Sequence, residues 1–326
     1  CMVRIEGSGR LVPACGTLVA DGMRVETLSP EVRRARRMAL ELLLSDHAGD
    51  CLAPCQSICP AQMDVPTMIR QIAAGNFAAA VATVKDRIAL PGILGRICTK
   101  PCEKGCRRGD HGGAVSVCLL KQSVADQQLT GAAAHEPARS PPSGKRAAII
   151  GSGPIGLAAA FYLLQWGHSV AILDDHPEAG GALRYAIGDD RLPRWVLDGE
   201  VEAVRRLGAE LRLCTRVGVD VAFDALRAEF DAVLIATGEL DGPSLARLGL
   251  PGAPKAVSVD RKTFRMPVEN VFAAGGVLRK SRLAVRSVAE GRAAATSIDQ
   301  LFRGVPVTGP EEEYNHRLLT ITAEEN

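Results

Sequence analysis

The side chains of this 326-residue sequence that are best suited to chemistry are its ten cysteines, six of which stand in two short runs. Within each run, three residues separate neighbouring cysteines. The runs comprise Cys51, Cys55 and Cys59, and then Cys98, Cys102 and Cys106. Closely spaced thiolates bind iron–sulfur clusters or zinc, and the ending Cys59-Pro60 is typical of iron–sulfur runs. We therefore predict metal centres, with iron–sulfur clusters favoured over zinc, which usually prefers Cys-x2-Cys pairs.

Disulfides are the other common use of many cysteines. They persist mainly in secreted proteins, and no charged and then apolar leader follows Cys1. Clustered cysteines in a cytoplasmic protein instead favour metal or redox centres. We expect a cytoplasmic protein and, because Cys1 stands where a Met would be, a piece of a longer one.

A glycine-rich turn offers a second kind of chemistry, the binding of a dinucleotide. The sequence Gly151-Ser152-Gly153-Pro154-Ile155-Gly156 follows a predicted strand, Arg146–Ile150, and opens a predicted helix, Ile155–Trp166. In this context Gly151 permits the tight turn, Gly153 lets the backbone approach a pyrophosphate, and Gly156 lets helix and strand pack closely. The diphosphate would lie at the helix N-terminus. The alternative is a glycine turn that holds no nucleotide.

An acidic residue stands where the ribose of such a nucleotide would be bound. Asp174 ends the next predicted strand, Val170–Asp174, 18 residues after Gly156. A carboxylate at this position accepts hydrogen bonds from the adenosine ribose, and Asp175 is the alternative. The motif does not by itself distinguish FAD from NAD.

Hydrophobic periodicity places the cysteine runs in a helical segment and the glycine turn in an α/β domain. Short β-like pieces precede residue 30, and Pro30–His47 is predicted as an amphipathic helix with a solvated arginine face. Further helices are predicted at Pro66–Ala74, Phe77–Ile88, Ser116–Leu129 and Leu283–Phe302. Later strands are predicted at Leu211–Cys214, Asp231–Ala236 and Asn270–Ala274.

Composition limits the classes of partner. Hydrophobic residues make up 47% and charged residues 23% of the chain, and the net charge is +2. So small a charge gives no sign of a nucleic-acid or membrane-surface partner, and the glycines at 151–156 interrupt the longest apolar run. We expect a soluble protein without membrane insertion. No Ser-His-Asp or paired-carboxylate pattern indicates hydrolysis, and no catalytic residue is identified.

Three motifs after the turn resemble the flavin domain of the glutamate synthase small subunit, a pattern that also occurs in the N-terminal half of dihydropyrimidine dehydrogenase. They are Gly180-Gly181-Ala182-Leu183-Arg184-Tyr185 with Arg191-Leu192-Pro193, then Ala236-Thr237-Gly238, then Val271-Phe272-Ala273-Ala274-Gly275. The resemblance covers about Cys51–Arg303 and implies FAD. The flavin-site residues that it implies are Gly180, Gly181, Leu183, Arg184, Arg191, Thr237, Gly238 and Gly275.

The sequence departs from that family in two places. The family's last flavin motif continues with an Asp that holds the ribityl chain, where this sequence has Gly276. The family also inserts a second nucleotide domain, for NADPH, before that motif, whereas 31 residues separate Gly238 from Asn270. One βαβ unit alone takes about 30 residues. We expect the ribityl contact to be lost or replaced and the NADPH domain to be absent.

The resemblance also implies how the cysteines are shared between two [4Fe-4S] clusters. One cluster takes Cys51, Cys55 and Cys106, and the other takes Cys59, Cys98 and Cys102. Each cluster then lacks a fourth ligand.

The candidates for the fourth ligands are His47 and Cys118. His47 precedes Cys51 in a stretch that resembles the His-Cys cluster motif of the large iron–sulfur subunit of respiratory complex I, and the alternative is a helix cap or surface residue. For the other cluster the family uses a Gln or Glu where this chain has Lys121 and Gln122. Cys118, one helical turn earlier, is either the substitute ligand or a small buried residue.

Cys1 and Cys15 have 13 residues between them. This spacing resembles the last two ligands of the [2Fe-2S] ferredoxin module in complex I large subunits and formate dehydrogenase subunits. A complete [2Fe-2S] site would need two further cysteines upstream. The remaining cysteine, Cys214, is predicted to lie in the core.

The predicted fold class is α/β, with a Rossmann-like FAD domain behind an α-helical iron–sulfur domain and a β-rich ferredoxin remnant. The expected boundaries are 1–30 for the ferredoxin segment, 31–130 for the [4Fe-4S] domain, 131–144 for a linker, 145–308 for the FAD domain and 309–326 for a tail.

The predicted function is electron transfer between [4Fe-4S] clusters, FAD and a redox partner. The partner would be another subunit of a dehydrogenase, hydrogenase or synthase-like enzyme, or a ferredoxin, with NAD(P)H as a candidate donor or acceptor. Two alternatives stay open, a self-contained NAD(P)H-dependent FAD reductase and a non-catalytic scaffold with a flavoprotein fold.

Overall fold

The computed structural model describes residues 1–45, 52–132, 136–240, 248, 257–278 and 283–311. They form two compact units, one built from the residues before position 46 and one from Leu52 onward. None of the helices in these ranges is long and apolar enough to cross a membrane.

The first unit is a small antiparallel sheet with one helix. Its strands are β1 (Met2–Ile5), β2 (Leu11–Pro13) and β3 (Val25–Glu26), in the order β2-β1-β3, and its helix is α1 (Pro30–Ser45). Arg36 Nε of α1 donates to the Met2 carbonyl at 2.8 Å. Helix α1 therefore packs with this sheet, whereas the sequence grouped it with the cysteine-bearing helices.

The apolar face predicted for α1 is buried only at its beginning. Val32 is fully buried, whereas Ala39 and Leu42 are exposed. A 16-residue helix is about 24 Å long, and the four-residue strand β1 is about 13 Å long. The sheet is therefore too short to cover the rest of the helix.

The second unit begins with the helices that carry the cysteine runs. They are α2 (Pro54–Ile58), α3 (Val65–Ala73), α4 (Phe77–Arg87), α5 (Pro91–Ile97), α6 (Pro101–Lys104) and α7 (Val117–Leu129). Asp64 and Asn76 cap α3 and α4 by accepting backbone N–H bonds at 3.0 and 3.1 Å. The predictions of α3, α4 and α7 are confirmed to within one residue at each end. Hydrophobic periodicity did not predict α2, α5 and α6, because each is shorter than two helical turns.

Helices α5 and α7 cross at a glycine. A Cβ placed on Gly95 would lie 2.7 Å from Gln122 Cβ and 2.8 Å from Gln122 Cα, closer than real Cβ atoms approach. Only glycine fits at this crossing. The crossing brings the end of α5, which leads into Cys98, beside the first turns of α7.

The rest of the second unit is a parallel sheet surrounded by helices. The strands are β4 (Arg146–Ile150), β5 (Ser169–Leu173), β6 (Glu210–Arg212), β7 (Ala232–Ile235) and β8 (Val271–Ala273), in the order β6-β5-β4-β7-β8. The helices are α8 (Pro154–Gln165), α9 (Ala182–Tyr185), α10 (Arg194–Arg206), α11 (Phe223–Glu229) and α12 (Ala284–Phe302). The predicted α/β fold is confirmed.

Strand β4 is the point at which the strand order reverses. It pairs with β5 on one side and with β7 on the other, and open α/β sheets bind ligands outside the carboxyl end of such a strand. Strand β8 pairs directly with β7, and the described residues 257–270 before β8 form turns and an isolated bridge.

A buried carboxylate joins the cysteine-bearing helices to the sheet. Glu200 on α10 accepts the backbone N–H of Gly92 on α5 at 2.7 Å, and its second oxygen lies 4.0 Å from the Lys85 ammonium of α4. Both side chains are almost completely buried. Burial raises the pKa of Glu200 and lowers the pKa of Lys85. The two charges are therefore tolerated because they face each other.

Glu200→Ala should lower the free energy of unfolding by about 3–5 kcal/mol, because it leaves the Lys85 ammonium buried without its carboxylate. Glu202→Ala is the matched control, since Glu202 lies on the same helix and pairs with Arg205 at the surface; its unfolding midpoint should match that of the unsubstituted chain. Urea unfolding measures both variants. Equal midpoints for the two variants would contradict this role of Glu200.

Candidate functional site

A cavity of about 610 Å³ opens at the carboxyl ends of β4 and β5. The glycine turn after β4 forms its floor, and the ends of β5 and β7 form its sides. Its lining includes eight residues predicted from the sequence: Gly151, Gly153, Pro154, Asp174, Gly181, Thr237, Gly238 and Gly276.

The glycines of the turn differ in what surrounds them. Gly151 has a φ of +108°, and a Cβ there would lie 2.5 Å from the Ala236 carbonyl oxygen. A Cβ on Gly156 would run into the carbonyl oxygen of Gly151. At Gly153, by contrast, no heavy atom of the described residues lies within 4 Å of the Cβ position. Gly151 and Gly156 are thus required by the fold, whereas Gly153 leaves open space above the N-terminus of α8.

Ser152, which sequence reasoning passed over, ties the turn to the next strand. Its backbone N–H and its hydroxyl donate to Asp174 Oδ2 at 2.7 and 2.6 Å, and its Oγ accepts the N–H of Gly180 at 3.1 Å. Burial raises the pKa of Asp174, but the bonds from Ser152 and His176 outweigh it and leave the pKa below its ordinary value. Asp174 is therefore a carboxylate that braces the turn at the edge of the cavity.

The outer rim of the cavity is formed by charged and aromatic side chains. Asp175 pairs with Arg216 at 2.9 Å, and His176 Nδ1 lies 3.0 Å from Asp174 Oδ1 and 2.9 Å from Asp175 Oδ1. The His176 ring stacks on Tyr185 with centroids 4.4 Å apart. These side chains surround the place where a ribose and an adjoining base would enter.

Several residues of the predicted flavin site lie beside the cavity instead of lining it. Leu183 is buried in the core. Arg184 donates to the Ala179 carbonyl at 2.7 Å and pairs with Asp198 of α10, and Arg191 is exposed. The others of this group are Gly180 and Gly275. Their predicted contact with a flavin stays a prediction.

Gly276 stands where the related family has Asp, and the structure gives a steric reason. A Cβ on Gly276 would lie 2.8 Å from the carbonyl carbon of Gly238 and 2.9 Å from the backbone nitrogen of Glu239. Both are backbone atoms, so they cannot turn aside. A side chain at 276 would need a different path of the chain after β7.

The groups that line the cavity are suited to binding the dinucleotide FAD. Gly153 and Gly238 present backbone without any atom of the described residues near their Cβ positions. Thr237 Oγ1 is buried at the cavity wall and has no hydrogen-bond partner among the described residues. Buried hydroxyls normally have a partner. An open glycine turn, a helix N-terminus and an unpaired hydroxyl are the groups that a diphosphate and a polar ring edge would use.

The described cysteines of the two runs fall into two sets of neighbours. Burial raises the pKa of Cys55, and Cys106 and Cys59 act on it as nearby thiols. Cys98 and Cys102 both lie near Cys118, and Cys59 lies close enough to Cys102 to act on its pKa. The predicted ligands Cys51 and His47 lie outside the described residues.

Cys118 lies at the centre of the second set. The neighbouring Cys118 thiol raises the pKa of Cys98 and lowers the pKa of Cys102. The backbone N–H of Cys118 donates to Glu103 Oε1 of α6 at 2.8 Å. Glu103 thereby fixes the first turn of α7 against the helix that carries Cys102.

The alternative residues for that ligand position differ from Cys118 in their surroundings. Lys121 is buried, with its Nζ 3.9 Å from Cys118 Sγ. Gln122 has its backbone and Cβ against Gly95 of α5. A protonated lysine has no lone pair to offer a metal. Lys121 is thus a poorer donor than Cys118, which lies near two thiols of the runs.

The sulfur spacing favours clusters over zinc. A zinc ion with four thiolates at about 2.3 Å needs every pair of sulfurs within roughly 4 Å. Among the described residues, no three cysteine sulfurs lie within 4.8 Å of one another. Each thiolate of a [4Fe-4S] cluster binds a different iron, which spreads the sulfurs farther apart. The donor set therefore fits [4Fe-4S] chemistry.

The remaining cysteines have different surroundings. Cys1 and Cys15 are exposed, with their sulfurs 3.3 Å apart, so the fold of the first unit brings the predicted [2Fe-2S] pair together. Cys214 is exposed, and the prediction that it lies in the core is wrong. Strand β6 ends at Arg212, and Cys214 has a φ of +51° in the turn that follows.

Comparison with known families identifies the second unit. A sequence model of the family described as pyridine nucleotide-disulphide oxidoreductase matches residues 115–291, more than half of the chain. The chain belongs to this family. A second model, described as dihydropyrimidine dehydrogenase domain II, 4Fe-4S cluster, matches residues 44–132. The chain thus carries a 4Fe-4S domain in front of an oxidoreductase domain, and the resemblance drawn from the sequence motifs is confirmed.

Curated relatives are oxidoreductase subunits. The chain is 42% identical over 207 residues to the NADP(+)-dependent formate dehydrogenase subunit beta of Moorella thermoacetica, covering 57% of this chain and 29% of the relative. It is 35% identical to the NADPH-Fe(3+) oxidoreductase subunit beta of Geobacter sulfurreducens, covering 57% and 28%. It is 36% identical to the NAD-dependent dihydropyrimidine dehydrogenase subunit PreT of Escherichia coli, covering 63% and 51%. The chain therefore spans about half or less of these relatives.

Gly153→Ala should leave the fold intact and weaken FAD binding. The backbone at Gly153 has φ −69° and ψ −175°, which alanine adopts readily, while a methyl group there would press on a bound diphosphate. Overpacking of this kind costs about 1–3 kcal/mol, or roughly 5–150-fold in affinity. Titration of the flavin-free chain with FAD, together with its thermal melt, measures both effects.

Gly156→Ala is the control for that experiment. Its Cβ meets the Gly151 carbonyl oxygen, so it should lower the melting temperature even without FAD. Unchanged FAD affinity in Gly153→Ala would show that no diphosphate rests on the turn.

Proposed function

We propose that this chain is the flavin and iron–sulfur electron-transfer part of a larger oxidoreductase. The observation that carries the proposal is that the thiol sets and the dinucleotide cavity belong to one compact unit. The buried contact between Glu200 and Gly92 joins the cysteine-bearing helices to a helix of the oxidoreductase domain. Such an arrangement holds redox groups at a fixed separation, which electron transfer requires.

For the clusters, we propose the ligand sets implied by the sequence. One set is Cys51, Cys55 and Cys106, with His47 as the candidate for its fourth position. The other is Cys59, Cys98, Cys102 and Cys118, supported by the position of Cys118 near two members of the set. Iron–sulfur clusters exchange single electrons, and their potentials depend on net charge and on hydrogen bonds to sulfur.

For the flavin, we propose that the diphosphate rests on the backbone at Gly153 and the N-terminus of α8. Asp174 would accept from the ribose on the side that faces the cavity, while Ser152 holds its carboxylate in place. Bound FAD would exchange two electrons with a hydride donor and single electrons with clusters. The protein's own part is to position the cofactor and to exclude other reactions.

We also propose an electron donor or acceptor outside this chain. The names of the relatives mention NAD(P)H, formate and dihydropyrimidine. With residues 257–270 forming turns and a bridge, we propose that this chain has no separate NADPH domain inserted before β8. We further propose a redox partner subunit that binds the nicotinamide or exchanges electrons with the clusters.

Anaerobic purification followed by iron, sulfide and flavin quantitation tests the proposal. It predicts one FAD and about eight irons per chain, as expected for two four-iron clusters. A colourless protein without iron would overturn it in favour of a scaffold. Rapid flavin reduction by NADH or NADPH in the absence of any partner would instead favour a self-contained reductase.

Cys118→Ala tests the proposed ligand set. Removal of one thiolate from a four-cysteine site should bring the iron content down from about eight toward about four per chain and abolish or alter one of two cluster signals in EPR. Cys214→Ala is the matched control, because Cys214 is exposed and far along the chain from both runs. If Cys118→Ala kept all its iron and both signals unchanged, Cys118 would be a buried structural residue.

A further inference from the structure

Lys121 places a buried positive charge next to the second set of thiols. Its side chain is only 3% exposed, and its Nζ lies 3.9 Å from Cys118 Sγ. The same ammonium acts electrostatically on Cys98 and Cys102. Three members of the proposed four-cysteine set therefore experience the Lys121 charge.

A buried ammonium normally needs a carboxylate close by. Isolated charges are costly to bury, and lysine is almost never fully buried unless it is paired. Among the described residues, the polar contact of Lys121 Nζ is with a thiol, and no carboxylate lies within ion-pair distance of it. The nearby carboxylate of Glu103 is used by the backbone of Cys118 and lies 3.9 Å from Lys100. Among the described residues, no carboxylate is thus placed to compensate the positive charge of Lys121.

Thiolates bound to a cluster would supply that charge. We propose that the Lys121 ammonium is the counter-charge of the cluster held by Cys59, Cys98, Cys102 and Cys118, and that it raises the reduction potential of this cluster. The inference rests on the proposed function, because it requires the cluster to be present.

The sign of the effect follows from electrostatics. Four thiolates give a [4Fe-4S] cluster a net negative charge, and reduction adds one more electron. A fixed positive charge in a buried, low-dielectric site stabilises the more negative, reduced form more strongly. An N–H donor to a ligand sulfur acts in the same direction. The potential should therefore fall when Lys121 loses its charge.

The arrangement also explains the residue types along α7. The resembling family places its Gln or Glu ligand where this chain has Lys121 and Gln122, and a lysine ammonium cannot take over that ligation. Cys118, one turn earlier on the same helix, lies near Cys98 and Cys102 instead. Position 121 is then free to carry a positive charge, which a metal ligand at that position could not do.

Lys121→Met and Lys121→Gln test the inference through an EPR-monitored redox titration of the anaerobically purified chain. We expect the equilibrium constant for reduction of one cluster to fall at least tenfold, which lowers its potential by 59 mV for a one-electron couple. The potential of the other cluster should change less. Lys145→Met is the control. It removes one positive charge from a half-exposed lysine that pairs with Asp231 beside β4, and it should leave both potentials unchanged.

The iron content shows whether the proposed function fails or only the proposed role of Lys121 fails. If the unsubstituted chain holds no iron, the proposed function fails. If both uncharged variants hold iron with an unchanged potential, only the role of Lys121 is overturned. If both uncharged variants lose iron, the variant Lys121→Arg distinguishes a need for charge from a need for packing. Iron retained by Lys121→Arg at the original potential supports the need for a positive charge. Iron lost from Lys121→Arg as well would assign Lys121 to packing and overturn the inference.

Discussion

The whole arrangement depends on one buried carboxylate, Glu200, which connects two parts of the second unit. It accepts the N–H of Gly92 at the start of α5, whose other end leads into Cys98. On its own helix, α10, Asp198 pairs with Arg184 from the segment beside the cavity. A single helix therefore contacts both the cysteine-bearing helices and the nucleotide-binding segment. Because Glu200 and its partner Lys85 are buried, this connection resists local opening.

Polar groups fix the backbone at the cavity and at the thiols, the two sites that this connection joins. At the cavity, the Ser152 hydroxyl binds both Asp174 and the N–H of Gly180, so that it joins the turn after β4 to the segment after β5. At the thiols, Glu103 fixes the backbone of Cys118. In both places a polar side chain accepts a backbone N–H from a neighbouring segment. Sites built in this way keep their geometry without large movements when an electron arrives.

Features that depend on local spacing could be predicted from the sequence. The roles of Gly151 and Gly156 follow from a short motif, and the structure gives each its expected close contact. Features that depend on distant contacts could not. Nothing local indicates that Arg184 turns toward Asp198 or that a side chain at 276 would meet the backbone of Gly238. For Cys214, the predicted strand Leu211–Cys214 suggested a core position, but the observed strand ends at Arg212 and Cys214 is exposed in the loop that follows.

We propose that electrons pass between the clusters and the FAD inside this one chain. Rapid-freeze EPR combined with stopped-flow absorbance, after anaerobic chemical reduction of the clusters, tests it most directly. We expect cluster signals to appear first and the flavin then to be reduced at a rate independent of protein concentration, because the step is intramolecular. Flavin reduction whose rate rises in proportion to protein concentration, or that does not follow cluster reduction at all, would contradict it.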